Sequence, residues 1–185
     1  MIAGHSLSLA SPARRFVALG IATGVGAPMV WRFGWSAVLP AYLALAALSG
    51  IVVVTDATEH RIPTKVVLPA YPIAALLLAL ASVAAGAWWP LARAAVSGGI
   101  IVGAYLFIAL AFPGQFGLGD IRLGGLLGLY LGYLGWSSVI VGTFLGWAIG
   151  AIVVVLFHGL PRRHVVAPLG PFLVAGAFVA ILTIR

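Results

Sequence analysis

Seven long apolar stretches, separated by short polar joints, make up almost the whole chain, with approximate limits 15–32, 36–55, 66–87, 92–112, 121–135, 137–157 and 166–184. Apolar runs of about 18 residues or more argue for transmembrane helices. The pattern therefore predicts an all-α, polytopic helix bundle of six to seven spans. The fifth stretch is short, which fits a tilted or re-entrant segment as well as a full crossing. No internal repeat, low-complexity tract or long linker interrupts the series, so residues 1–185 read as a single transmembrane domain.

Composition narrows the reading. The 185 residues are 63% hydrophobic and only 7% charged, with a mean hydropathy of +1.20. A water-soluble domain needs a mostly polar surface and has no use for so much apolar area. At about 20 residues per span, six or seven helices consume the chain and leave no room for an extramembrane domain. Cysteine is absent, which excludes disulfides, thiolate catalysis and zinc–thiolate sites. The net charge of +7 comes from Lys and Arg placed singly or in pairs at helix ends. That is how topology signals are distributed; no basic patch forms, so the lipid bilayer is the expected partner and nucleic acid is not. The stretch ARRFVALGIATGVGAPM near the N-terminus has the arginines and apolar run of a signal peptide. It lacks a small-x-small cleavage site and further spans follow, so a first transmembrane helix with a cytoplasmic flank is the better reading.

Orientation follows from the cations. With the N-terminus inside, Arg14, Arg15, Arg61, Lys65, Arg122, Arg162 and Arg163 fall on inner joints, and Arg32, Arg93 and Arg185 on outer ones. This bias predicts a cytoplasmic N-terminus. Trp31, Trp35, Trp88, Trp89 and Trp136 gather at the outer ends, as interfacial anchors do. The three acidic residues of the chain, Asp56, Glu59 and Asp120, then all lie at the cytoplasmic face. Glycines recur every fourth residue at Gly124, Gly128 and Gly132, and again at Gly142, Gly146 and Gly150. Small residues on one face let helices approach closely in lipid, and the two ladders predict that helices five and six are neighbours.

Acidic side chains beside hydrocarbon are costly and usually serve a cavity or a reaction. Each also has a plainer use. Asp120 opens a helical run, where it can cap free N–H groups; Asp56 and Glu59 can be solvated joint residues balancing Arg61 and Lys65. As a pair, two carboxylates in a partly desolvated site share one proton, since both cannot easily ionise. The ionised member can then take a proton from water while the protonated member polarises a carbonyl. Such chemistry calls for no metal and no cofactor. Gly117 and Gly119, just before Asp120, suit close backbone approach. Periodicity does not by itself bring Asp56 to Asp120.

A resemblance does. GLGDIRLGGLLGLYLG resembles the GxGDxKL motif of the type IV prepilin peptidases, a family of membrane-embedded GxGD aspartic proteases. Upstream, VTDATEHRIPTKVVLPAYP is similar to that family's first aspartate motif, an Asp followed by Ile-Pro and a new apolar run. Near the C-terminus, VAPLGPFLVAGAF is similar to its Pro-Phe-Gly-Pro-Phe-Leu segment. The three motifs occur in family order across about 130 residues; one GxGD alone would be weak.

The resemblance implies that Asp56 and Asp120 are the catalytic aspartates, titrating as a unit. It implies an aspartic endopeptidase of a bacterial-type inner membrane. Its substrates would be prepilin-like proteins bearing a short basic leader and a hydrophobic helix, cut on the cytoplasmic side. The departures are Arg122 for the family's lysine, Thr64 for its usual asparagine, and Leu169 where phenylalanine is common. Without cysteines and a cytoplasmic region, methyltransferase activity is not expected. Glu59 is a candidate contact for a basic leader, with an ion pair to Arg61 as the plainer reading, and Gln115 is a candidate hydrogen-bonding group near Asp120. The Glu59–His60 pair is poor support for a metal site, and His158 and His164 read as interfacial. Two alternatives stand: a GxGD protease for other membrane peptides, and a small proton-coupled transporter using Asp56 or Asp120 as a relay.

Overall fold

The computed structural model describes residues 12–112, 117–158 and 168–184. Seven helices fill them: α1 (Pro12–Phe33), α2 (Leu39–Glu59), α3 (Thr64–Ala85), α4 (Trp89–Ala111), α5 (Leu118–Leu134), α6 (Trp136–His158) and α7 (Gly170–Thr183). Proline marks several starts. Pro40, Pro90 and Pro171 lie in the first turns of α2, α4 and α7, where a missing N–H breaks no helical hydrogen bond. Pro63 precedes α3. Two of the stops are left-handed residues. Gly86 ends α3 at φ +64° and His60 ends α2 at φ +51°, with the His60 N–H bonded to the Asp56 carbonyl at 2.9 Å.

The bundle is all-α among the described residues, as the apolar pattern predicts. Five helices (α1, α2, α3, α4 and α6) are long and apolar enough to cross a membrane. The sequence pattern counts α5 and α7 as spans too, but they have only 17 and 14 residues. At 1.5 Å per residue they reach about 26 and about 21 Å, short of a bilayer core of about 30 Å. Their place in the fold accounts for this: both are largely buried among the longer helices.

Hydrogen bonds show which helix ends share a face. At one end Arg32 donates from the end of α1 to the Ile184 carbonyl just past α7. There, too, Arg93 of α4 donates to the Gly132 and Tyr133 carbonyls at the end of α5. A cation on the last carbonyls of a helix is favoured by its dipole. Exposed Trp31, Trp35, Trp88, Trp89 and Trp136 lie in or beside the joints at this end. In the interior the fully buried Tyr42 of α2 donates to the Tyr130 carbonyl of α5 at 2.8 Å and stacks on Phe33. The opposite end carries Asp56, Glu59 and Asp120.

Glycine fixes the close approaches, and α5 and α6 are neighbours as the ladders predict, though each ladder mainly grips another helix. Helices α5 and α6 do touch, at Gly142 against Leu131. The α5 ladder, however, mainly grips α4: Gly124 meets Tyr105, Gly128 meets Ile101 and Gly132 meets Ser97. Ser97 Oγ also donates to the Gly128 carbonyl at 2.8 Å. The α6 ladder grips α7, with Gly146 on Leu173 and Gly150 on Phe172. Spacing within a helix identifies a smooth face and is silent on which helix lies against it. The tightest approach to backbone is at Gly176 of α7, where an added Cβ would strike the backbone of Gly142 and Gly146. Backbone cannot move aside as a side-chain tip can. Gly176→Ala is therefore expected to cost at least about 2–3 kcal/mol, read as a lower thermal midpoint of helix loss in detergent.

Candidate active site

Asp56 sits in the last turn of α2 and is only 4% exposed. A carboxylate so enclosed needs a donor, and α7 supplies one: the Gly170 N–H donates to Asp56 Oδ2 at 2.9 Å. Gly170 is the first residue of α7, whose free N–H groups and positive dipole end favour an anion. The fit is close. A Cβ on Gly170 would lie 2.7 Å from Asp56 Oδ2.

Asp120 occupies the third position of α5, at the mouth of the bundle ahead of the apolar part of that helix. It is half-buried. Its Oδ2 accepts the N–H of Gly117, the capping residue, at 3.2 Å. Asp120 thus does cap its helix, from inside the first turn, and this uses one oxygen of the carboxylate. Burial, and after it the charge of the nearby Asp56, push the Asp120 carboxyl up to about 6, against the smaller opposing pull of the Gly117 N–H. The fold therefore brings the two aspartates, on different helices, into electrostatic reach of each other.

The glycines around Asp120 have local reasons. A side chain at Gly117 would crowd Asp120 Oδ2, its Cβ falling 2.9 Å away. Gly119 faces the joint between α2 and α3, where its Cβ would lie 2.8 Å from that of Ile62. The room expected there for a substrate backbone is taken by the chain's own Ile62. Glu59 is exposed and pairs with Arg14 of α1 at 3.4 Å rather than with Arg61. Gln115, His164, Arg162 and Arg163 lie outside the described residues.

Three contacts at this site are not evident from sequence spacing. One is Gly170 on Asp56. The second is Arg122 Nη1 donating to Thr64 Oγ1 at 2.7 Å, which joins two of the motif departures noted above. The third is Tyr105 of α4, whose ring packs on Gly124, one turn below Asp120, while its hydroxyl accepts from Trp147 Nε1 at 2.9 Å.

Against known proteins, a model of the type IV leader peptidase family matches residues 41–155. The chain belongs to the type IV leader peptidase family. The matched stretch covers both aspartates, the connecting joint and the Arg122–Thr64 contact, and stops short of Gly170. Family membership implies peptidase activity and, in general terms, a prepilin-like protein as substrate. No curated protein and no solved structure matches the chain.

Proposed function

We propose that the protein is a membrane-embedded aspartic endopeptidase that removes the basic leader from type IV prepilin-like proteins. Asp56 and Asp120 are its catalytic pair, and the acidic end of the bundle faces the cytoplasm. One observation carries this reading above the others: two carboxylates on separate helices, each tethered through Oδ2 to a backbone N–H, close enough to share electrostatic influence. Such a pair holds one proton between its members. The ionised carboxylate takes a proton from water as the water oxygen bonds to the scissile carbonyl carbon. The protonated one gives its proton to the carbonyl oxygen. As that adduct collapses the C–N bond breaks, one of its hydroxyls returns a proton to the carboxylate that had protonated the carbonyl oxygen, and the leaving amine is protonated by the carboxyl that accepted the water proton.

Orientation is supported by charge. Arg14, Arg15, Arg61, Lys65 and Arg122 are at or near the aspartate end, while Arg32 and Arg93 cap helices at the tryptophan-rich end. Cations favour the cytoplasmic side. Exposed Glu59, one turn beyond Asp56, can exchange Arg14 for a cation of the leader; an exposed ion pair of this kind is worth only about 0–1 kcal/mol.

The test uses purified protein in nanodiscs with a prepilin-like substrate carrying a basic leader and an apolar helix. Mass spectrometry of both fragments is expected to find one cut at the leader–helix junction. Cleavage of leaderless membrane peptides alone would favour a broader GxGD protease. No cleavage of either, together with proton flux in sealed vesicles, would favour a relay transporter.

A further inference from the structure

We propose that Arg122, Thr64 and Tyr71 form a clamp that positions Asp120 of α5 against Asp56 of α2. The proposal rests on the reading of these aspartates as the reacting pair and names what sets their spacing. Among the described residues, the direct hydrogen bond between α2 and α5 runs from Tyr42 to Tyr130. Tyr130 lies ten residues beyond Asp120, about 15 Å along the helix. A helix pair joined that far away does not by itself fix two carboxylates at its other end. There the spacing is set by what bridges the two helices, namely α7, which bonds Asp56 through Gly170 and packs on α5, and α3 through the clamp.

The clamp has three contacts. Arg122 Nη1 donates to Thr64 Oγ1, in the first residue of α3, at 2.7 Å. Tyr71, two turns further along α3, donates its hydroxyl to the Arg122 carbonyl at 2.7 Å. Between α2 and α3, Ile62 fills the space that a side chain on Gly119 would take. Gly125 gives separate support: its Cβ would lie 2.5 Å from the Tyr71 hydroxyl, so the approach of Tyr71 depends on a residue without a side chain.

The chemistry of Arg122 argues in the same direction. A cation in the opening turns of a helix stands against the helix dipole. At two residues from Asp120 it points to another side of α5, and among the described residues it pairs with no carboxylate. Its guanidinium is instead anchored on a neutral hydroxyl of the neighbouring helix. That is the placement of a geometric tie rather than of a charge balance. Thr64, Tyr71 and Arg122 are positioning residues and touch no reacting atom.

The absence of cysteine permits a direct measurement. Spin labels on Ala57→Cys and Leu118→Cys, both exposed positions, report the separation of α2 and α5 at the aspartate end in nanodiscs. Thr64→Val and Arg122→Met are expected to broaden the distance distribution, with Thr64→Ser keeping the parent one. In the unlabelled single variants, kcat for leader cleavage is expected to fall about tenfold to a hundredfold with KM within twofold. The alkaline limb of the pH profile should move, because a wider pair couples less. Tyr71→Phe, which keeps the ring in place, is the second route should Arg122→Met fail to fold. An unchanged distance distribution overturns the proposal whether or not cleavage is lost; lost cleavage with unchanged distances would make Arg122 a substrate contact. Broadened distances in a protein whose parent chain cleaves nothing would keep the clamp and remove the proteolytic reading.

Discussion

Asp56→Asn and Asp120→Asn are each expected to abolish leader cleavage, lowering it at least about a thousandfold, while leaving the bundle folded. Asparagine keeps the shape of aspartate and an oxygen able to accept the Gly170 or Gly117 N–H. What it loses is the capacity to take or give a proton. The parent enzyme should show a bell-shaped pH dependence, since activity needs one proton on the pair. Asp120 is raised to about 6, so rising pH above that value strips the shared proton and activity falls. At low pH both carboxyls are protonated and no base remains.

Stability should move oppositely in one variant. A carboxyl raised from 3.8 to about 6 in the folded state favours folding when protonated, so its contribution is present below about pH 4 and lost as pH rises through about 6. Asp120→Asn removes that loss. Its thermal midpoint at pH 8 should exceed that of the parent chain, with the difference closing by pH 4. Full cleavage by either asparagine variant would end the two-aspartate reading and return Asp120 to capping Gly117.

The five long helices were legible because apolar length alone specifies them: a run such as 66–87 has no other stable state in lipid. Helix ends were less legible: the apolar limits 66–87 miss both ends of α3 by two residues, where Pro63 and Gly86 punctuate it. Partners were less legible still. The ladder at Gly124, Gly128 and Gly132 announces a smooth face, yet its main mate is α4, because the α4–α5 hairpin presents Ser97, Gly98 and Ile101 at matching heights. The candidate site was legible as chemistry, three acids at one end, and as motif order. Its supports were not. The hydrogen bond from Gly170 to Asp56 spans 114 positions of sequence, and no periodicity encodes a contact of that range. Arg122 and Thr64 stood out as separate motif departures, and only the fold makes them partners.

Gly170→Ala is expected to be the most damaging substitution outside the aspartates themselves. The objection to a side chain here is contact, since Gly170 is not among the glycines with positive φ. The new Cβ would lie 2.7 Å from Asp56 Oδ2 and 3.2 Å from its Cγ. Real Cβ atoms do not sit so close, so either the carboxylate turns away or the start of α7 lifts. Both outcomes break the bond from the Gly170 N–H, and a buried carboxylate that loses such a donor is destabilised by about 1–3 kcal/mol. A displacement of about 1 Å costs on the order of a hundredfold in rate, so kcat should fall by about that factor with KM little changed. The remainder of α7 stays anchored on α6 through Gly146 and Gly176, which separates this variant from Gly176→Ala, where the helix pair itself is disturbed. Gly103→Ala is the matched control, because a Cβ there meets nothing within 4 Å. Equal cleavage by the Gly170 and Gly103 variants would mean that Asp56 does its work without the α7 amide. A selective loss in the first would make the opening turn of α7, which lies beyond the matched family region, part of the site.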